Sequence, residues 1–235
     1  MITLAFDTAA KVATVAVRDG KKTLAVYSIN NGLTQSELIL PMAESMLSSL
    51  GLSFSDVGLL ATSVGPGSFT GVRIGVSLVK GLAFGKGTPI VGVSTLEALA
   101  ENLRGLRGLI IPVMDARRGE VYTATFASDG VTTERKCEDR AIPIKELAAE
   151  LRCADMPIYL VGDGYAVAKI GLEKEGIKTE ETPEILRDEN AESVASLAER
   201  KYANGEYTDD LTISPIYLRL PQAERERLER ESNTK

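Results

Sequence analysis

Apolar residues alternate or cluster in three short stretches near the start of the chain, at 2–6, 12–17 and 23–29, and each reads as a strand. Asp19-Gly20, between the second and third, marks a hairpin turn. From 34 to 50 the period lengthens. Leu38, Met42, Met46 and Leu50 fall on one helical stripe, and Gly51 stops it. A strand at 57–64, a helix at 72–84 and a strand at 89–93 follow, then a helix capped by Ser94 and running to 103. The second half repeats the order. Residues 109–114, 121–126 and 131–136 are predicted strands, and 144–152 a helix opened by Pro143. After them come a strand at 158–161, a Gly162-Asp163-Gly164 turn into a helix, a weaker strand at 177–181 and a helix at 191–202.

Each half therefore opens with a three-strand meander. An apolar strand ends in Asp (Asp7, Asp115), a polar turn follows, and the next strand starts at Val12 or Val121. The predicted class is α/β: two lobes, each a mixed sheet with a three-strand antiparallel meander and flanking helices, facing across a cleft. The boundary is placed in the 104–108 turn. Residues 1–104 make an N-terminal lobe and 105–235 a smaller C-terminal lobe, whose terminal segment is expected to pack back on the first. Residues 221–235 alternate in charge, with Glu224 near Arg227 and Glu226 near Arg230, and read as a solvated terminal helix or tail.

The most specific stretch is Gly65-Pro66-Gly67-Ser68-Phe69-Thr70-Gly71-Val72-Arg73-Ile74-Gly75, a strand-to-helix turn. Such a turn allows close backbone approach and offers amides to an anion at a helix N-terminus. It matches neither the dinucleotide fingerprint, which needs Gly at Thr70, nor a Walker loop, nor a nucleophile elbow around Ser68. The helix after it is apolar on nearly every side, with only Arg73 and Lys80 charged, so it is buried on most faces.

Composition narrows the chemistry. The 235 residues carry 44% hydrophobic residues, enough for a real core, and a net charge of −6. That balance argues against this chain alone gripping a nucleic-acid backbone. Histidine is absent, which removes a Ser-His-Asp triad, an imidazole base and a histidine metal site together. Cys137 and Cys153 have no ligand spacing and fit a reducing cytoplasm. The start reaches Asp7 without a basic segment and so does not read as a signal peptide. No apolar run reaches the length of a membrane span.

These features resemble the actin/hexokinase/Hsp70 superfamily, whose lobes are ribonuclease H-like, and more closely the bacterial TsaB (YeaZ) family, paralogues of the threonylcarbamoyl-transferase TsaD. The matching residues are Phe6-Asp7-Thr8, Gln35-Ser36-Glu37-Leu38-Ile39-Leu40-Pro41, the 65–75 loop, Gly92-Val93-Ser94-Thr95-Leu96, Asp115-Ala116-Arg117-Arg118-Gly119-Glu120-Val121-Tyr122, and Pro215-Ile216-Tyr217-Leu218-Arg219. The likeness runs from the start to about Arg219.

The resemblance implies a non-catalytic subunit that pairs with a TsaD-like paralogue and a TsaE-like ATPase in making threonylcarbamoyl-adenosine beside the tRNA anticodon. It would touch tRNA only through the complex and form a homodimer when alone. It also implies no intrinsic metal or cofactor, with ATP or ADP confined to the groove between subunits. Thr95 and Leu99 stand where TsaD has metal-binding histidines, and Gln35 stands where many relatives have His. The implied partner interface takes Gln35, Leu38, Ile39, Met42 and Met46 from the first helix, and Gly71, Val72, Arg73, Gly75, Val76 and Val79 from the second. Glycines 71, 75, 81 and 85 would permit close helix approach. Candidate nucleotide or cleft contacts are Asp7, Thr8, Ser68, Thr70, Asp115, Arg117 and Arg118. A turn carboxylate capping local amides explains Asp7 as well, and the two arginines suit a phosphate or an acidic partner. An ATP-dependent small-molecule kinase of the same fold is the alternative, and a peptidase is a third reading that the missing histidines disfavour.

Overall fold

A computed structural model of the chain describes residues 1–32 and 34–219; the charged segment at 221–235 lies outside them. Strands β1 (Ile2–Asp7), β2 (Ala13–Asp19) and β3 (Lys22–Ile29) form the expected antiparallel meander. β4 (Val57–Gly65) joins β1 in parallel and β5 (Ile90–Ser94) joins β4, giving the order β3-β2-β1-β4-β5.

Alternation along the strands sorts the two faces of this sheet. Leu4, Phe6, Val15 and Val17 point to one side, where helices α1 (Gln35–Ser49) and α2 (Phe69–Ala83) cover them with Ile39, Met46, Val72 and Val76. Ala5, Ala16 and Ala61 point to the other side. There α6 (Ala191–Ala203) lies against them with Ala191, Ala195 and Ala198. Small residues on both surfaces let helix and sheet approach closely. Arg18, only 6% exposed, pins α6 to β2 through Glu192 and through Glu199, 3.1 Å from its Nε.

The second sheet is built on β6 (Arg107–Asp115). The strand expected at 121–126 is β7 (Glu120–Thr123) and β8 (Phe126–Asp129), interrupted at Ala124-Thr125. The register does not change across the break. Val113 faces Thr123 and Ile110 faces Phe126, three residues apart on both sides, so the two pieces are one strand. The third strand is likewise divided, into β9 (Thr133–Arg135) and β10 (Arg140–Pro143). Arg135 faces Phe126 and Arg140 faces Thr123, so this strand carries two extra residues as a bulge. β11 (Ile158–Val161) pairs in parallel on the far side of β6. The weak strand expected at 177–181 is reduced to one parallel bridge, Tyr159 to Glu180. Strand order thus repeats between the lobes.

Helices α4 (Ile144–Leu151) and α5 (Tyr165–Lys174) cover one face of the second sheet. Helix α3 (Thr95–Glu101) sits between the lobes: Ala98 packs toward the first sheet, while Leu96 and Leu99 pack toward the second. After α6 the chain follows the first lobe. Thr208 bridges Ile90, Ile213 enters the α1–α2 core, and Ile216 N donates to Val64 O at 2.7 Å. Arg219 then reaches the second lobe, where it donates to Ala116 O at 3.3 Å and pairs with Glu120.

Candidate functional site

The cleft between the lobes is a cavity of about 510 Å³. Its walls are the 9–11 turn after β1, the 66–70 turn after β4, residues 114–117 at the end of β6, Asp163, and the 216–219 segment that crosses its mouth.

The glycine loop lines the cleft, but its glycines lie against this chain's own backbone and threonine hydroxyls. A Cβ on Gly65 (φ 110°) would stand 2.5 Å from Ile216 O, and one on Gly75 would meet Thr62 Oγ1 at 2.6 Å and Thr8 Oγ1 at 2.8 Å. Additions at Gly67 and Gly71 would strike the carbonyls of Ala9 and Thr8. Ser68 N donates to Ala9 O at 2.6 Å, Ser68 Oγ accepts from Gly71 N at 3.2 Å, and Thr8 Oγ1 donates to Gly71 O at 2.7 Å. The first-lobe turns that would cradle phosphates are therefore bonded to each other. Ser68 also caps α2, which is why the helix begins at Phe69 rather than 72.

Asp7, expected at the cleft, lies beneath it and is not among its lining residues. It is fully buried, and its Oδ1 accepts from Ala9 N at 2.9 Å and Ser63 Oγ at 2.7 Å, while Oδ2 has no partner among the described residues. Burial raises its pKa from 3.8 to about 6 against those two bonds. Thr8 is buried as well and does not line the cavity. Glu189, which the sequence reading missed, is 4% exposed with both carboxyl oxygens unpartnered among the described residues. Burial first, then the charges of Asp7, Asp163 and Asp188, push its carboxyl well up. A Glu in the polar run before a helix carries no sequence signal of burial. Asp163 accepts from Asp115 N at 3.3 Å, and desolvation with the nearby Asp115 charge holds its carboxyl up.

Asp115 lies on the opposite wall and folds its own turn, accepting from Arg117 N at 2.8 Å. Arg117 (φ 67°), Arg118 (φ 56°) and Gly119 (φ 78°) take left-handed conformations in succession, uncommon for two arginines. The turn brings Arg117 to the cleft, its side chain 83% exposed and its guanidinium 3.8 Å from Asp115. Ser68 and Thr70 also reach the cleft, whereas Arg118 is not among its lining residues. Thr95 and Leu99 are buried, Leu99 within the aliphatic packing between α3 and the second sheet. Among the described residues no group of three or more His, Cys, Asp or Glu side chains is arranged to hold a metal ion.

The residues expected at a partner interface divide into two sets. Ile39, Met42, Met46, Val72, Val76 and Val79 are buried in this chain's own core, and Gly71 and Gly75 let α2 lie against β1 and β4. They correct the expected surface, because a helix apolar all round spends one side on its own sheet. Leu38 is half-buried against that core, and Gln35 Nε2 donates to Ala10 O, tying the start of α1 to the first turn. Gly81 faces open space. What remains outside is a shallow groove of about 610 Å³ lined by Leu40, Phe69, Ile74 and Leu78, with Ser36, Thr70, Arg73 and Ser77, and with the buried Ile39 reaching it from below. The spacing of Ile74, Leu78 and Leu82 on a second stripe of α2 was the readable signal for this outer face.

A family model described as "TsaD: tRNA N6-adenosine threonylcarbamoyltransferase" matches residues 34–227. The tRNA threonylcarbamoyladenosine biosynthesis protein TsaB of Bacillus subtilis is 32% identical over 225 residues, covering 95% of this chain and 96% of its own. Its Escherichia coli namesake is 33% identical over 219 residues, covering 92% and 94%. The chain belongs to the TsaB family. The solved YeaZ from Pseudomonas aeruginosa superposes with a TM-score of 0.77 at 26% identity, over 92% of this TsaB-family chain and 99% of that one. The α/β class expected from sequence, with a three-strand antiparallel meander in each of two mixed sheets, holds, and the kinase alternative is not favoured. No helix among the described residues is long and apolar enough to cross a membrane.

Proposed function

We propose that this chain works in tRNA threonylcarbamoyladenosine biosynthesis as a non-catalytic subunit, docking a TsaD-like paralogue through the α1–α2 groove. The observation that carries this is the pairing of an outward aliphatic groove with a glycine loop turned in on its own chain. The groove supplies a docking face, and the loop spends its Ser68 and Gly71 amides on its own chain. Thr95 and Leu99, at the positions matched to the TsaD histidines, supply no nitrogen ligand. A TsaE-like ATPase and tRNA meet this subunit only through the complex, since the net charge of −6 disfavours direct tRNA binding. ATP or ADP belongs in the space between the subunits. Alone, the chain covers the same groove with a second copy.

The test mixes purified chain with cognate TsaD, TsaE and tRNA and omits each protein in turn. Modified adenosine should appear only with all present, and the isolated chain should not turn over ATP. Modification at full rate without this chain, or ATP turnover by it alone, sinks the reading.

A further inference from the structure

Phe69, Arg73 and Tyr217 form one pile where the groove meets the cleft. The rings of Phe69 and Tyr217 stack with centroids 4.7 Å apart. The Arg73 guanidinium lies 3.7 Å above the Phe69 ring, and its Nε donates to Tyr217 Oη at 2.7 Å. Among the described residues the two Nη groups have no hydrogen bond or ion pair. The side chain is exposed yet fixed, by a ring on one face and a hydroxyl on its Nε. An arginine fixed in this way has already lost much of the rotamer freedom that binding would otherwise cost. Its free fork matches one ligand geometry best, the two oxygens of a carboxylate or phosphate.

The surroundings choose between these. Leu40, Ile74 and Leu78 line an aliphatic furrow beside Arg73, suited to apolar side chains of a docked helix. Neither an aliphatic furrow nor a chain of net charge −6 suits a phosphate backbone. Resting on the reading of this groove as the docking face, we propose that Arg73 receives a carboxylate from the partner protein's docking helix. The same contact is coupled to the cleft through Tyr217. Tyr217 belongs to the segment that closes the cleft mouth, held to the first lobe by Ile216 N on Val64 O and to the second by Arg219 on Ala116 O and Glu120. Phe69 is a wall of both spaces. A carboxylate on the fork fixes the guanidinium, the guanidinium holds Tyr217, and Tyr217 holds the crossing segment. By linkage, loosening that segment weakens docking to the same degree.

Calorimetry with cognate TsaD, run on wild type, Arg73→Ala, Arg73→Lys, Tyr217→Phe and Leu78→Asp, tests this, together with hydrogen exchange at the Ile216 amide. Arg73→Ala should weaken binding at least tenfold, and Arg73→Lys should recover part of it. Arg73→Glu should be rescued by a single Asp- or Glu-to-Lys change on a TsaD docking helix. Partner binding should slow Ile216 exchange in wild type and less so in Tyr217→Phe. If Leu78→Asp abolishes binding but Arg73→Ala does not, the fork is wrong and the groove survives. If Leu78→Asp also binds normally while remaining folded, the docking reading itself fails. Failure of every charge swap overturns the carboxylate, as would nucleotide binding by the isolated chain that Arg73→Ala removes. Unchanged Ile216 exchange on docking overturns the coupling.

Discussion

Asp7 at the end of β1 and Glu189 on the link into α6 are neighbouring buried carboxyl groups, and three of their four oxygens have no hydrogen-bond partner among the described residues. Asp7 pairs with Thr14 across the meander, and Thr14 Oγ1 accepts from Ala191 N at 3.4 Å, so the link is fastened beside Asp7. The charged groups acting on the pair are Asp163 and Asp188, with Lys11 near Asp163.

This pair predicts a pH signature. Both folded-state pKa values are raised, Asp7 to about 6 and Glu189 well above 4.5, so the folded chain holds these protons more tightly than the unfolded one. Their stabilising contribution is complete below about pH 4 and declines as pH rises through about 6 and beyond. Asp7→Asn removes the titration and keeps the shape. In urea unfolding from pH 4 to 8 it should gain stability relative to wild type as pH rises, on the order of 2–3 kcal/mol at the top of the range. Glu189→Gln should act in the same direction. A wild-type-minus-variant difference independent of pH would contradict the assignment.

Two glycines of α2 should answer oppositely. Gly75→Ala drives a methyl into Thr62 and Thr8 and is expected to cost about 1–3 kcal/mol. Gly81→Ala meets nothing within 4 Å in a helix and should stabilise by about 0.5–1 kcal/mol. Thermal melts of the two variants decide whether α2 glycines serve the interior of this chain.

Met46→Asp and Leu78→Asp separate core from docking face. Met46 is fully buried, so an aspartate there should leave too little folded protein to assay at 37 °C. Leu78→Asp should fold with a melting temperature near wild type and lose both self-association and TsaD binding, read by circular dichroism and light scattering. The reverse pattern would place the partner on the Met46 side.

Arg18→Met removes the only positive group that the described residues place between Glu192 and Glu199 in the β2–α6 joint. Leaving those partly buried carboxylates uncompensated should cost about 3 kcal/mol, and restoring neutrality with Glu192→Gln and Glu199→Gln should recover part of it. Urea midpoints of the single and triple variants measure this.

Much of the architecture was legible because it is local. Asp19-Gly20 sets a hairpin, Ser94 a cap, and the two Asp-terminated strands mark the start of each lobe. The partner face was legible only as a pair of helices. Val72, Val76 and Val79 form one apolar stripe of α2 and Ile74, Leu78 and Leu82 another, and periodicity alone does not say which one meets the sheet. Glu189 was invisible, since its burial comes from a crossing between distant segments. The break at Ala124-Thr125 was equally hidden, because the flanking residues keep strand character and register on both sides.

The alanine face of the first sheet has a consequence for synthesis. Its cover, α6, is encoded at 191–203, about a hundred residues after β5. While the ribosome is still making the second lobe, Ala5, Ala16 and Ala61 have no helix over them. The N-terminal sheet must wait, half-dressed, until α6 has been made, and a chain released before residue 203 leaves that face to whatever binds apolar surface first.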